Sequence, residues 1–480
     1  MNQSWHRRFN QSQHGHDCFH FGVTPRNSFT SCSDKSNMLL PKLDVASFSQ
    51  SSTKDAERVT LAKRTKYTLV HVVATEMMKD LIIPQVIEHM VQQANTPGPM
   101  RPSRVVVVFM EPVRVVMRRA VRLRLREIRR DAPSLRIILL PYVSRLGQRT
   151  SARVLGRVLR EIVGRLPVVL HCRGEAAVEW ASHLGRYFDR AGIVADIRGA
   201  WPEELLSERG FDGPEEADAP SRAQYDFAIT RLRAVLNVAG SVFTVSPPLV
   251  KWLEGLGARE GSVTCIPCCV PGLAFSATDR QQKRSELSLE RKIVFVYLGT
   301  ITRYQHIEDG LARFFGALQR ECEAAHLLCL TNDETAMRRA LCTGGVPLDR
   351  TTILRVPHRH VASYLSAADA ALLLRAPSQL NRFSCPTKFG EYLGSGLPVI
   401  VSRGMGSTDL LVENAGAGVV VDFFNRDDAT LAREAGRVLR ALHRDGGTMR
   451  ERALSLCEQQ FLWTQHLDRV REAYERALPP

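Results

Sequence analysis

The stretch DAALLLRAPSQLNRFSCPTKFGEYLGSGLPVIVS, positions 369–402, holds two short apolar runs, DAALLL and LPVIVS, with helical spacing between them. Near-continuous apolar strands are buried on both faces, and two of them joined through a helix lie parallel in one sheet. Phe389 and Leu393, four apart, face the core from that helix. Pro386 suits its first position, where a missing N–H costs nothing. Gly394 and Gly396 stop it, and Pro398 opens the next strand. Lys388 and Glu391 are three apart and share one face near the helix start.

The same alternation runs along most of the chain. YTLVHVVA, SRVVVVFM, LRIILL, PVVLHC, GIVADI, SVFTVS and SVTCIP are strands separated by helical stretches, and together they predict a doubly wound α/β domain over 63–271. Residues 272–290, GLAFSATDRQQKRSELSLE, lose the pattern and read as a linker. It restarts with KIVFVYLG, AHLLCLT, TTILRV, DAALLL, LPVIVS and AGVVVD, a second α/β domain over 291–455, followed by a helical segment at 456–480. Residues 1–62 are polar, with few periodic apolar positions, and predict a poorly ordered extension. His6, His14, His16 and His20 lie there without a cysteine or carboxylate framework for a metal. The fold class is α/β: two doubly wound Rossmann-like domains facing a central cleft, with ligand contacts expected just after the strands.

Length and composition bound the function. A chain of 480 residues with 44% hydrophobic and 24% charged residues is ordinary for a two-domain globular protein. A formal net charge of +15 favours an anionic partner: phosphorylated substrates, an anionic membrane or nucleic acid. No apolar run is long enough to span a bilayer, and no secretory leader is legible at the N-terminus. Eleven cysteines scattered through apolar elements argue for reduced thiols and a cytoplasmic setting. In TCIPCCV, Cys265, Cys268 and Cys269 have no second ligand pair for zinc and read as buried thiols at a strand end.

A helix N-terminus presents free N–H donors and a positive dipole end, a seat for phosphate. Lys388 adds a positive charge there, and Glu391 one turn on can accept hydrogen bonds from the vicinal hydroxyls of a sugar. A plain surface Lys–Glu pair is the competing reading. Ser384, Pro386, Lys388, Glu391, Tyr392, Gly396, Pro398 and Val399 together resemble the donor-site signature of bacterial GT-B glycosyltransferases, close to family 4. That resemblance implies diphosphate binding by Lys388 and ribose binding by Glu391, with Ser384, Pro386 and Thr387 in the same donor loop. Phe383 stands where many such enzymes have a further glutamate. Gly299 and Thr300 follow a strand and suit close approach of backbone to phosphate. Arg303 is the basic candidate beside them. Gly404 and Gly406, before Ser407, Thr408 and Asp409, fit either a further anion-binding turn or a simple cap. His358 and Arg359 are read as loop residues rather than catalysts.

In the first domain, VVLHCRGEAAVEWA places His171 and Arg173 at a strand end. VADIRGAWPEELL places Asp196, Arg198 and Glu203 at the next. Both segments resemble parts of the same glycosyltransferases and are expected on the acceptor side, although Asp196 and Arg198 also suit a structural ion pair. RVVMRRAVRLRLREIRR carries eight arginines at 114–130. Arg114, Arg118, Arg119, Arg122 and Arg126 are candidates to face anionic lipid headgroups at the inner face of a membrane. A nucleic-acid patch or a solvated helix face are the alternatives.

The resemblance implies transfer of a sugar from a nucleoside-diphosphate sugar to a glycan or lipid-linked acceptor, in surface polysaccharide or glycolipid assembly. It further implies retention of configuration and a last helix that crosses back onto the first domain. No Asp-x-Asp metal motif is legible, so no cofactor or metal is expected, the nucleotide-sugar being a substrate. A nucleotide-sugar epimerase, a non-catalytic nucleotide-sugar binder of the same fold, and a basic membrane or nucleic-acid adaptor are the alternatives.

Overall fold

The computed structural model describes residues 66–143 and 147–479. The extension expected at 1–62, with its four histidines, lies outside the described residues. All of the apolar runs named above become strands. β1 (Thr68–Ala74), β2 (Arg104–Pro112), β3 (Arg136–Tyr142), β4 (Val168–Arg173), β5 (Ala191–Asp196), β6 (Ser241–Thr244) and β7 (Val263–Cys265) form one sheet. β8 (Ile293–Leu298), β9 (Ala325–Leu330), β10 (Thr351–Leu354), β11 (Ala370–Leu373), β12 (Val399–Ser402) and β13 (Gly418–Val421) form the second.

The first sheet is ordered β3-β2-β1-β4-β5-β6-β7 and the second β10-β9-β8-β11-β12-β13, with parallel neighbours throughout. Each chain path thus starts mid-sheet, winds outward, then returns to the other side of its first strand. The reversal leaves a crevice at the carboxyl ends of β1 and β4 in one sheet, and of β8 and β11 in the other. Val105, Val106, Val107 and Val108 of β2 are all buried, so successive side chains contribute to the packed layers on both faces of the sheet. Each such burial stabilises the fold by about 1.5–3 kcal/mol.

Two segments tie the halves together. Val270 donates its N–H to Phe461 O at 2.7 Å, where the chain leaving the first sheet runs beside the chain returning to it. The helix Leu467–Ala477 then packs on the first sheet: Tyr474 is fully buried, and Ser241 Oγ donates to Ala473 O at 2.9 Å. Gly192 permits this approach, because a Cβ there would lie 2.4 Å from Ala477 O.

Residues 272–290 contain a helix, Ala277–Glu286, capped by Ser276. None of its residues is buried, so it lacks the apolar period by which helices are legible. It is held instead by Arg280 and Arg284, which converge on Asp369.

Candidate functional site

The helix Thr387–Gly394 begins one residue later than its proline suggests, with Pro386 as the capping residue. Phe389 and Leu393 are fully buried, and this packing fixes the phase of the helix so that Lys388 and Glu391 turn to the crevice. The crevice is a cleft of about 1790 Å³ between the two sheets. That exceeds the volume of a pocket for a single small ligand, roughly 300–1,000 Å³, and leaves room for a second reactant.

Lys388 and Glu391 do not pair with each other. Lys388 Nζ donates to Gln305 Oε1 at 2.8 Å and stands 4.3 Å from the centre of the Tyr297 ring. Gly299, at φ +140°, makes the space: a Cβ there would lie 2.6 Å from Nζ. Glu391 Oε1 lies 3.4 Å from His358 Nε2. His358 opens the helix His358–Ser366 and lines the cleft, so it belongs to the site rather than to a bystander loop. Burial opposes the charge on His358, but the Glu391 carboxylate outweighs it and raises the imidazole pKa. Across the cleft, burial pushes Glu88 up to about 7.

The residue not foreseen is Arg375, just past β11. It is only 7% exposed and lines the cleft. Its Nη1 donates to Asn381 Oδ1 at 3.3 Å and Ser384 Oγ at 3.4 Å; its Nε has no hydrogen-bond partner among the described residues. Neither Arg375 nor Lys388 has a carboxylate within ion-pair distance among the described residues. Burial and the neighbouring Arg375 charge hold the Lys388 pKa well below its ordinary value. Two buried cations without a counter-ion are costly in a folded protein and favour a bound anion.

Several expected site residues stand elsewhere. Thr300 lines the cleft, but Arg303 is exposed, donates to Gly210 O at 3.4 Å and does not line it. Gly404 and Gly406 lie behind the donor loop. The Gly404 N–H is taken by Asp409 Oδ2 at 2.9 Å, and a Cβ on Gly406 would meet Arg382 O and Ser384 O within 2.9 Å. They brace Ser384 rather than offer amides to the cleft. Phe383 is buried against Trp252 of the first domain at 5.1 Å, so the position of the missing glutamate serves as a packing anchor.

In the first domain, Arg173 lines the cleft and donates through Nε to Glu76 at 3.0 Å. Asp196 and Arg198 border the cleft as a buried ion pair, 2.8 Å at its shorter contact. His171 is fully buried and outside the cleft lining: Nδ1 meets the Tyr474 hydroxyl at 2.7 Å and Nε2 lies 3.3 Å from Asp196. It anchors the last helix. Glu203 also points inward, accepting from the Tyr225 hydroxyl at 3.0 Å, and the neighbouring Glu204 faces the cleft instead. Arg114, Arg118, Arg119, Arg122 and Arg126 are exposed, flanking the edge of the first sheet beside β3.

Two facing doubly wound sheets, with a return helix on the first, define one architecture. The fold is GT-B. Solved structures of GT-B glycosyltransferases match this chain at low identity. HepE of Anabaena, solved with UDP and glucose, shares 14% identity at a TM-score of 0.59, over 85% of this chain and 99% of its own. Sucrose-phosphate synthase of Thermosynechococcus elongatus shares 16% at 0.60, over 86% and 99%. WaaG, a glycosyltransferase involved in lipopolysaccharide biosynthesis, shares 13% at 0.51, over 84% and 98%. No protein-family model and no curated protein matches the sequence. Within this GT-B frame, Lys388, Glu391 and Arg375 belong to the second domain, and Arg173 and Glu204 to the first.

Proposed function

We propose that this GT-B protein is a glycosyltransferase that moves a hexosyl group from a nucleoside-diphosphate sugar to a glycan or lipid-linked acceptor. The observation that carries the reading is the pair of buried cations, Lys388 and Arg375, at the switch point of the second sheet. A departing nucleoside diphosphate develops negative charge, and fixed positive groups beside a helix N-terminus stabilise it in a low-dielectric site. These groups supply that charge without a metal, so the proposal includes activity in the presence of chelator. It also includes retention of anomeric configuration, by displacement on the face the diphosphate leaves; the anomer of the first-formed product, read by NMR, tests this. HepE, solved with UDP and glucose, supports the donor class.

In this reading Glu391 exchanges His358 for the ribose hydroxyls. Glu391→Ala should weaken nucleoside-diphosphate binding roughly 10- to 100-fold, the loss of hydrogen bonds to a charged acceptor. Inorganic pyrophosphate, which has no ribose, should bind the variant and the wild type alike. Isothermal titration of both ligands decides it; equal losses for both would remove Glu391 from ribose recognition.

The acceptor is proposed to be presented at an anionic membrane surface. Met117 is 67% exposed in the turn before the helix Arg119–Asp131, among Arg114, Arg119 and Arg122. An exposed apolar side chain flanked by arginines suits a headgroup layer, each arginine contributing about 1 kcal/mol near an anionic surface. Arg114→Gln, Arg119→Gln and Arg122→Gln combined should lower co-flotation with phosphatidylserine vesicles by roughly 100-fold on that basis. Unchanged flotation would contradict the membrane assignment. No helix among the described residues is long and apolar enough to cross a membrane.

A further inference from the structure

Cys268 and Cys385 lie 117 residues apart in sequence and side by side in space. Cys268 sits just beyond β7, where the chain leaves the first sheet. Cys385 stands in the donor loop, between Ser384, which accepts from Arg375, and Pro386, which caps the Thr387–Gly394 helix. The Cys268 N–H donates to Cys385 Sγ at 3.4 Å. Both line the cleft, whereas Cys265 and Cys269 do not.

The surroundings of Cys268 favour its thiolate. Its sulfur receives the Gln85 side-chain amide at 3.7 Å, and the Cys385 thiol and the Thr387 hydroxyl act on it in the same sense. Arg198 and Arg173 add positive charge nearby. Against the opposing effect of burial, the Cys385 thiol and then these groups lower its pKa to about 7. Cys269, one residue on, is pushed well above the ordinary thiol value by burial. Cys268 is only 2% exposed and Cys385 is half-buried, yet the two stand together at the wall of the cleft, an arrangement that suits a pair oxidised by a small molecule entering the cleft.

We propose that Cys268 and Cys385 are a peroxide-oxidisable pair whose disulfide ties the donor loop to the segment leaving the first sheet. The Cys268 thiolate attacks a peroxide oxygen, breaking the O–O bond, forming a sulfenic acid and releasing hydroxide. The Cys385 sulfur then attacks the Cys268 sulfur, the S–S bond forms, and the sulfenic oxygen leaves as water with the Cys385 proton. Two thiols are oxidised and one peroxide is reduced. The 3.4 Å approach of Cys385 Sγ to the Cys268 backbone N–H places the two residues side by side, as a disulfide requires. Reduction by a dithiol reverses the step.

The test uses the full chain. Hydrogen peroxide is added near neutral pH, the reaction is quenched with catalase, free thiols are alkylated in denaturant, and the peptides are mapped by mass spectrometry. The expected product is a Cys268–Cys385 cross-linked peptide, two hydrogens lighter than the reduced pair and restored by dithiothreitol. In Cys385→Ser the expected product is a dimedone adduct on Cys268. Cys342, which is exposed, is the internal comparison. Oxidation of Cys342 with Cys268 and Cys385 both still alkylated would overturn the proposal, as would a Cys268–Cys265 product. The cross-link is read on the wild type, so a variant that fails to fold leaves the test intact. The effect on the donor loop, unlike the bond itself, rests on the proposed nucleotide site. If the cross-link forms and UDP binds the oxidised and reduced proteins equally, the lock on the loop is overturned and the oxidation site stands.

Discussion

Replacing Lys388 by Met should make the protein more resistant to heat in the absence of nucleotide, while removing its response to nucleoside diphosphates. Lys388 is buried with one hydrogen bond, one aromatic face and a second cation close by. Exchanging buried charge for an apolar side chain of similar length is often neutral or stabilising, by about 1–4 kcal/mol. The same exchange removes a charge-assisted contact to a diphosphate, about 1.5–3 kcal/mol or roughly 10- to 150-fold in affinity. Scanning calorimetry with and without UDP reads both effects. A variant that loses stability yet keeps its nucleotide response would place Lys388 in the core rather than the site.

The sign of the accompanying pH dependence follows from the depressed Lys388 pKa. The unfolded chain holds this proton to higher pH than the folded one, so the Lys388 contribution to stability rises with pH between the folded and unfolded pKa values. A bound diphosphate restores the charged form, so binding takes up a proton in that window and weakens as pH rises through it. Titration in buffers of different ionisation heat measures the uptake, and Lys388→Arg should abolish it.

Arg375→Gln should cost nucleoside-diphosphate affinity on the same scale, roughly 10- to 150-fold. Arg375→Lys should not rescue it. The guanidinium reaches Asn381 and Ser384 together and keeps Nε free of hydrogen-bond partners among the described residues, a planar fork that an ammonium cannot reproduce. The double variant with Lys388→Met should lose less than the sum of the two, because removing either cation relieves the repulsion felt by the other. Strict additivity in a double-mutant titration would mean that the two do not share one anion.

What was legible in the sequence follows from burial. The strands of both sheets could be read because parallel strands are apolar on both faces, and Lys388 and Glu391 because a short helix between two strands has a fixed phase. Arg375 was not legible: it follows an apolar run with no motif of its own, and only the folding of the Thr387–Gly394 helix back over the end of β11 brings its charge to bear on Lys388. Glu203 and Glu204 differ by one helical step, about 100°, too little for spacing to separate. Gln305 and His358 carry no motif of their own; their roles come from contacts with Lys388 and Glu391 made across the fold. The helix Ala277–Glu286 was hidden because charge rather than burial holds it.

The most direct measurement is the thermal stability of the full chain with UDP, GDP and ADP, each beside its nucleoside monophosphate. A nucleoside diphosphate at about 100 times its dissociation constant should stabilise the fold by roughly 2.7 kcal/mol. At least one diphosphate is expected to raise the melting temperature clearly, its monophosphate much less, and Lys388→Met not to respond. No shift with any diphosphate, or equal shifts in wild type and Lys388→Met, would contradict the donor site.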